Sequence, residues 1–156
     1  MQPIIQQIHK LLIKNKKTLS LAESCTGGLL SYFLTSISGS SQYFILGVIA
    51  YSNAAKTSIL KIPRKIIFKN GAVSSKVARL MASSVKKLAK SDFGIGVTGI
   101  AGPGGGSKSK PVGTVFIAVD GPAKKICQRF SFKGSRLAIK KAAAQMALRL
   151  LKDACR

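Results

Sequence analysis

Short apolar runs alternate with helix-spaced segments along most of this chain, and that alternation restricts it to an α/β architecture. The most constraining run is YFILGVIAY at 43–51, almost continuously apolar. Such a run is expected of a strand buried on both faces of a sheet. Upstream, Ile4, Ile5, Ile8, Leu11 and Leu12 share one helical face, residues 18–22 fit a short strand, and Thr26-Gly27-Gly28 open a second helix. That helix turns Leu29, Leu30, Phe33, Leu34 and Ile37 inward and breaks at Ser38-Gly39-Ser40-Ser41. Downstream, Ser52-Asn53 can cap a short helix carrying Ala54, Ala55 and Lys56. Ser74 can cap a helix reaching about Lys90, with Val77, Leu80, Met81, Val85 and Leu88 buried. Residues 93–97 read as a strand, and 112–120 and 124–132 as a hairpin around Gly121-Pro122. The closing helix, 135–152, buries Ile139, Ala143, Met146, Ala147, Leu150 and Leu151. The expectation is one domain over 1–156, an α/β sandwich with a mixed sheet.

Charge is the second constraint. The 156 residues include 26 Lys and Arg against 4 Asp and Glu, a formal net charge of +22. Either this surface meets a polyanion, or the cations are scattered over solvated faces; non-specific nucleic-acid binding follows in both cases. No apolar run approaches the ~20 residues of a membrane span, and MQPIIQQIHK has no secretory pattern, so a cytoplasmic protein with no membrane partner is expected. Cys25, Cys127 and Cys155 form no C-x-x-C pair and are expected to stay reduced.

Reactive side chains concentrate in LAESCTGGLL at 21–30. The stretch lies where a strand hands over to a helix, a geometry that offers backbone N–H groups to an anion. Ser24 can act as a nucleophile if a base is near, Cys25 if its thiol is acidified, or Ser24 and Thr26 can simply cap the helix. Bases are scarce. The only histidine, His9, lies next to Ile8 on the first helix, and the four carboxylates (Glu23, Asp92, Asp120, Asp153) are too dispersed for a metal cluster. Lysine remains, and a Ser–Lys pair is a known variant of the triad logic. With Asn53 as cap, Lys56 falls in a helical first turn, where dipole and burial both favour the neutral amine; an ordinary exposed lysine is the alternative. TGIAGPGGGSKSKPVGT at 98–114 is a long glycine-rich loop, neither a Walker A loop nor a dinucleotide fingerprint.

Together these segments resemble the C-terminal domain of the competence- and damage-inducible CinA proteins, which includes stand-alone nicotinamide-nucleotide amidases. The matching pieces are AESCTGG at 22–28, SGSS at 38–41, YSNAAK at 51–56, GAVS at 71–74, TGIAGPGGG at 98–106 and KPVGTV at 110–115, in family order. The resemblance implies a three-layer α/β/α domain, a homodimer, and hydrolysis of nicotinamide mononucleotide to nicotinate mononucleotide and ammonia without metal or organic cofactor. It implies Ser24 and Lys56 as the catalytic pair, and Tyr51, Asn53, Thr98, Gly99 and the following loop, Gly102 included, as substrate contacts. The backbone of Cys25, Thr26, Gly27 and Gly28 is expected to hold the oxyanion, and Arg136 the substrate phosphate. Ser135 stands where the family has aspartate, which is expected to loosen Arg136, and Ser109 where glutamate is frequent. A non-catalytic protein that binds nucleic acid through its basic surface is the alternative.

Overall fold

The computed structural model describes residues 2–155. Five strands, β1 (Leu19–Glu23), β2 (Phe44–Ile49), β3 (Phe93–Gly99), β4 (Thr114–Asp120) and β5 (Lys125–Ser131), form one mixed sheet in the order β2-β1-β3-β4-β5. β1 runs parallel to β2 and β3; β4 and β5 are antiparallel additions. Helices α1 (Gln2–Lys14), α2 (Leu29–Thr35) and α6 (Arg136–Ala154) pack together on one side of the sheet. Helices α3 (Asn53–Ser58), α4 (Arg64–Asn70) and α5 (Ser75–Ala89) group on the other. This is the three-layer α/β/α arrangement.

The strands buried along their whole length are β1 and β4, with β3 buried except at Gly99. β2 departs from the sequence expectation. It lies at the sheet edge and alternates half-buried with exposed residues, leaving Ile45 and Ile49 about half exposed. Its composition is that of a central strand, but an outer position leaves part of it uncovered. Leu88 is likewise exposed rather than buried on α5, and Met146, Phe33 and Leu29 are only half-buried. Helix α4, which follows Pro63, was not anticipated. In the 98–114 loop, Ala101 is buried and Val112 packs against the core, so the loop is anchored by apolar contacts its composition did not suggest.

The close approach of α5 to β3 depends on two glycines. A Cβ at Gly94 would lie 2.1 Å from the Ala82 carbonyl oxygen, and one at Gly96 2.3 Å from that of Ala78. Backbone atoms cannot move aside as a flexible side chain can, so α5 sits at a depth only glycine permits. Gly96→Ala is expected to lower unfolding free energy by about 3 kcal/mol, read from the shift of the urea midpoint at unchanged slope.

Candidate active site

The parallel strands end side by side. Glu23 closes β1 in register with Ile49 of β2 and Val97 of β3. The chain leaving these strands therefore enters one shared volume, at the carboxyl edge where open α/β sheets place ligands. The Ser24 amide donates to Val97 O at 3.0 Å and the Ala50 amide to Glu23 O at 2.9 Å, so sheet-like bonds fix both segments.

Glu23 anchors the turn that carries Ser24. Its fully buried carboxylate accepts from the amides of Gly28 (3.0 Å), Leu30 (3.1 Å) and Ser31 (2.8 Å), and from the Ser31 hydroxyl (2.6 Å). The residue at the α2 N-cap, Gly28, has no side chain to do this, so a carboxylate from the preceding strand satisfies the orphan amides. The chain can fold back over Glu23 because Gly27 and Gly28 adopt φ of 60° and 92°, in the left-handed region.

Lys56 approaches Ser24 from α3. Ser52, not Asn53, caps that helix, its hydroxyl accepting from the Ala55 amide at 3.0 Å. In so short a helix Lys56 also belongs to the last turn, so the dipole argument has little force. Burial carries the effect instead. The side chain is 1% exposed, and desolvation lowers the amine below the ordinary lysine value. Nζ lies 3.1 Å from Ser24 Oγ, 3.0 Å from Ala50 O and 3.2 Å from Tyr51 O. A neutral amine has two N–H groups and one lone pair. The two carbonyls can take both N–H groups, which leaves the lone pair directed at the serine hydroxyl.

Cys25 differs from its neighbour. Burial, with a contribution from the charge of Glu23, pushes its thiol up to about 12, so it stays protonated at neutral pH.

Ser24, Cys25, Tyr51, Asn53, Lys56, Thr98, Gly99, Gly102 and Arg136 all border one cleft of about 280 Å³. Thr26, Gly27 and Gly28 do not. Thr26 is fully buried, the Gly27 amide is bonded to Ser24 O, and the Gly28 amide to Glu23. Of the four amides expected to face an oxyanion, those two are already occupied, and only Cys25 contributes to the cleft wall. Ala72 and Val73 also line it. Sequence reasoning passed over both, although the GAVS stretch just ahead of the Ser74 cap was a usable signal. Thr98 fixes this wall, donating from its hydroxyl to Ala72 O at 2.9 Å.

Arg136 spans the cleft mouth. It donates to the Gly102 carbonyl and, at 2.9 Å, to the Tyr51 hydroxyl. Ser135 caps α6 by accepting from the Ala138 amide at 3.3 Å, and so keeps the aspartate's capping capacity. With two anchors of its own, Arg136 is not loosened as expected. His9 packs edge-on against Tyr43, ring centroids 5.6 Å apart, and takes no part in the cleft. Among the described residues no three His, Cys, Asp or Glu side chains gather as a metal site, and no helix is long and apolar enough to cross a membrane. All three cysteines are free.

Fold and cleft thus define an α/β/α domain with a buried Ser–Lys pair at the strand ends. Residues 1–155 match the CinA C-terminal domain family. The chain is 49% identical over 146 residues to a CinA-like protein of Syntrophus aciditrophicus, covering 93% of this chain and 35% of that protein. It is 47% identical over 147 residues to one of Desulfotalea psychrophila, covering 94% and 36%. The chain therefore spans about a third of the length of these curated relatives. Its fold is similar to the crystal structure of competence/damage inducible protein CihA from Agrobacterium tumefaciens, with TM-score 0.96, 34% identity and coverage of 99% and 94%. A CinA superfamily protein from Escherichia coli is similar at TM-score 0.91 and 30% identity, covering 96% and 87%. The chain belongs to the CinA C-terminal domain family.

The Glu23 arrangement gives a direct test. Glu23→Ala leaves four donors without their acceptor and is expected to lower unfolding free energy by about 3–5 kcal/mol in urea titration.

Proposed function

We propose that this cleft hydrolyses the carboxamide of nicotinamide mononucleotide, giving nicotinate mononucleotide and ammonia. The observation that supports it most is the position of the buried Lys56 Nζ, 3.1 Å from the Ser24 hydroxyl. Lys56 takes the Ser24 proton as Oγ bonds to the carboxamide carbon, and the carbonyl π electrons move onto oxygen. The Cys25 amide, on the cleft wall and with no acceptor among the described backbone hydrogen bonds, is the candidate to hold that oxyanion. As the tetrahedral species collapses, the C–N bond breaks and the Lys56 ammonium returns a proton to nitrogen, which leaves as ammonia. Water then attacks the acyl-serine. Lys56 accepts the water proton and passes it to Oγ, releasing the carboxylic acid product and restoring the enzyme.

Arg136 meets the substrate phosphate in this reading. Its guanidinium is pre-positioned by Gly102 and Tyr51, which reduces the ordering cost of binding. A homodimer completes the reading; Tyr32, Ile45 and Ile49 are apolar side chains exposed on the α2–β2 side and available for such a contact.

Ser24→Ala and Lys56→Ala are each expected to cut ammonia release at least a thousandfold with the fold retained, whereas Cys25→Ala stays within about threefold. Ready turnover by Ser24→Ala contradicts the assignment. Because the base must be uncharged, kcat/KM is expected to rise with pH through a pKa below the ordinary lysine value and then level off. Lys56→Arg, which stays protonated, is expected to be inactive across that range. Arg136→Met is expected to raise KM for the mononucleotide at least tenfold while leaving kcat/KM for nicotinamide riboside nearly unchanged.

A further inference from the structure

We propose that the groove between α5 and the β4–β5 edge of the sheet binds the phosphate backbone of a nucleic-acid duplex without reading its sequence. Two adjoining cavities, of about 150 and 450 Å³, run along this groove and share Ser83, Asp120 and Lys125. From α5, Lys76, Arg79, Lys86 and Lys87 border it, joined by Lys90 just past the helix end. From β5, Lys125 and Arg129 fall on the same strand face by the two-residue alternation. The Cys127 thiol of β5 donates to the Ser75 carbonyl at the start of α5 at 3.8 Å, so the two cationic rows lie close together.

Among the described residues, Asp120 is the one acid in the groove, and Lys86 and Lys125 hold it at 2.9 and 3.1 Å. Among the described residues Lys76, Arg79, Lys87 and Lys90 have no acidic partner there. The helical row from Lys76 to Lys87 extends about 16 Å at 1.5 Å per residue, while each duplex strand presents a phosphate about every 3.4 Å. The groove therefore matches a run of several phosphates.

Its chemistry favours a duplex over a single strand. Single-strand sites offer open aromatic faces on which bases stack. Among the described residues no aromatic side chain lines either cavity, and the neighbouring Phe116 of β4 is 9% exposed with the Arg129 guanidinium over its ring at 5.7 Å. Cations without a stacking platform recognise backbone and leave the bases paired.

Because the whole chain is basic, the test must separate this groove from net charge. Fluorescence anisotropy with a labelled 20-base-pair duplex over a salt series compares the full chain with two triple variants of equal charge. One is Lys76→Gln, Arg79→Gln, Lys87→Gln in the groove; the other is Lys10→Gln, Lys14→Gln, Arg149→Gln on exposed positions of α1 and α6. The groove variant is expected to bind at least tenfold more weakly, with the slope of log K against log salt reduced by roughly three. The α1–α6 variant is expected to change less than twofold, and unchanged far-ultraviolet circular dichroism and melting confirm that both fold. Equal weakening of the two variants overturns the proposal, as does no duplex binding by the parent chain in 50 mM salt. Capture by vesicles of anionic lipid without capture of the duplex also overturns it.

Discussion

Everything in the cleft depends on a lysine amine removed from water without a counter-ion. A buried ammonium is costly unless a carboxylate lies beside it. Glu23, the carboxylate next to Ser24 in sequence, is engaged by three amides and a hydroxyl of the α2 turn. Lys56 has instead two carbonyls and a serine hydroxyl around it. Those partners can serve a neutral amine, the carbonyls taking its N–H groups and the hydroxyl facing its lone pair, while desolvation is what lowers the amine below the ordinary lysine value. The contacts are formed by Ser24, just after β1, and by Ala50 and Tyr51, just after β2, ends that the parallel register of the two strands brings together.

The scarcity of acids follows a related pattern. Glu23 orders the nucleophile turn. Asp92 accepts from Lys17 and from both the amide and hydroxyl of Thr18, joining the start of β1 to that of β3. Asp120 joins α5 to β5 through two lysines. Carboxylates here are structural connectors, which leaves most surface cations without a partner. In the two proposals, the cleft mouth and the α5–β5 groove both draw on that excess, Arg136 for one phosphate and the groove for a row of them.

Much of this was legible in the sequence, for identifiable reasons. Helical spacing located α1, α5 and α6, and Ser74 capped α5 as its hydroxyl suggested. The Ser24–Lys56 pairing could be reached by elimination, since one histidine and four acids leave few bases. The failures were of tertiary origin. Composition cannot tell an edge strand from a central one, so β2 was assigned two covered faces. It cannot show that Glu23 reaches forward to α2 and takes up the Gly28 amide, so the oxyanion role was spread over too many residues. Nor could it separate dipole from desolvation at Lys56, because the shortness of α3 and the depth of its side chain emerge only once the layers pack.

The most direct test is the ionisation of Lys56 itself. With lysine labelled at the ε-carbon and Lys56→Met used to assign its signal, NMR titration reads the amine without substrate or turnover. A buried amine held by two carbonyls should titrate clearly below the ordinary lysine value of 10.5, apart from the surface lysines. Titration at or above that value would mean an ammonium at rest beside Ser24, and the Ser–Lys chemistry would not hold.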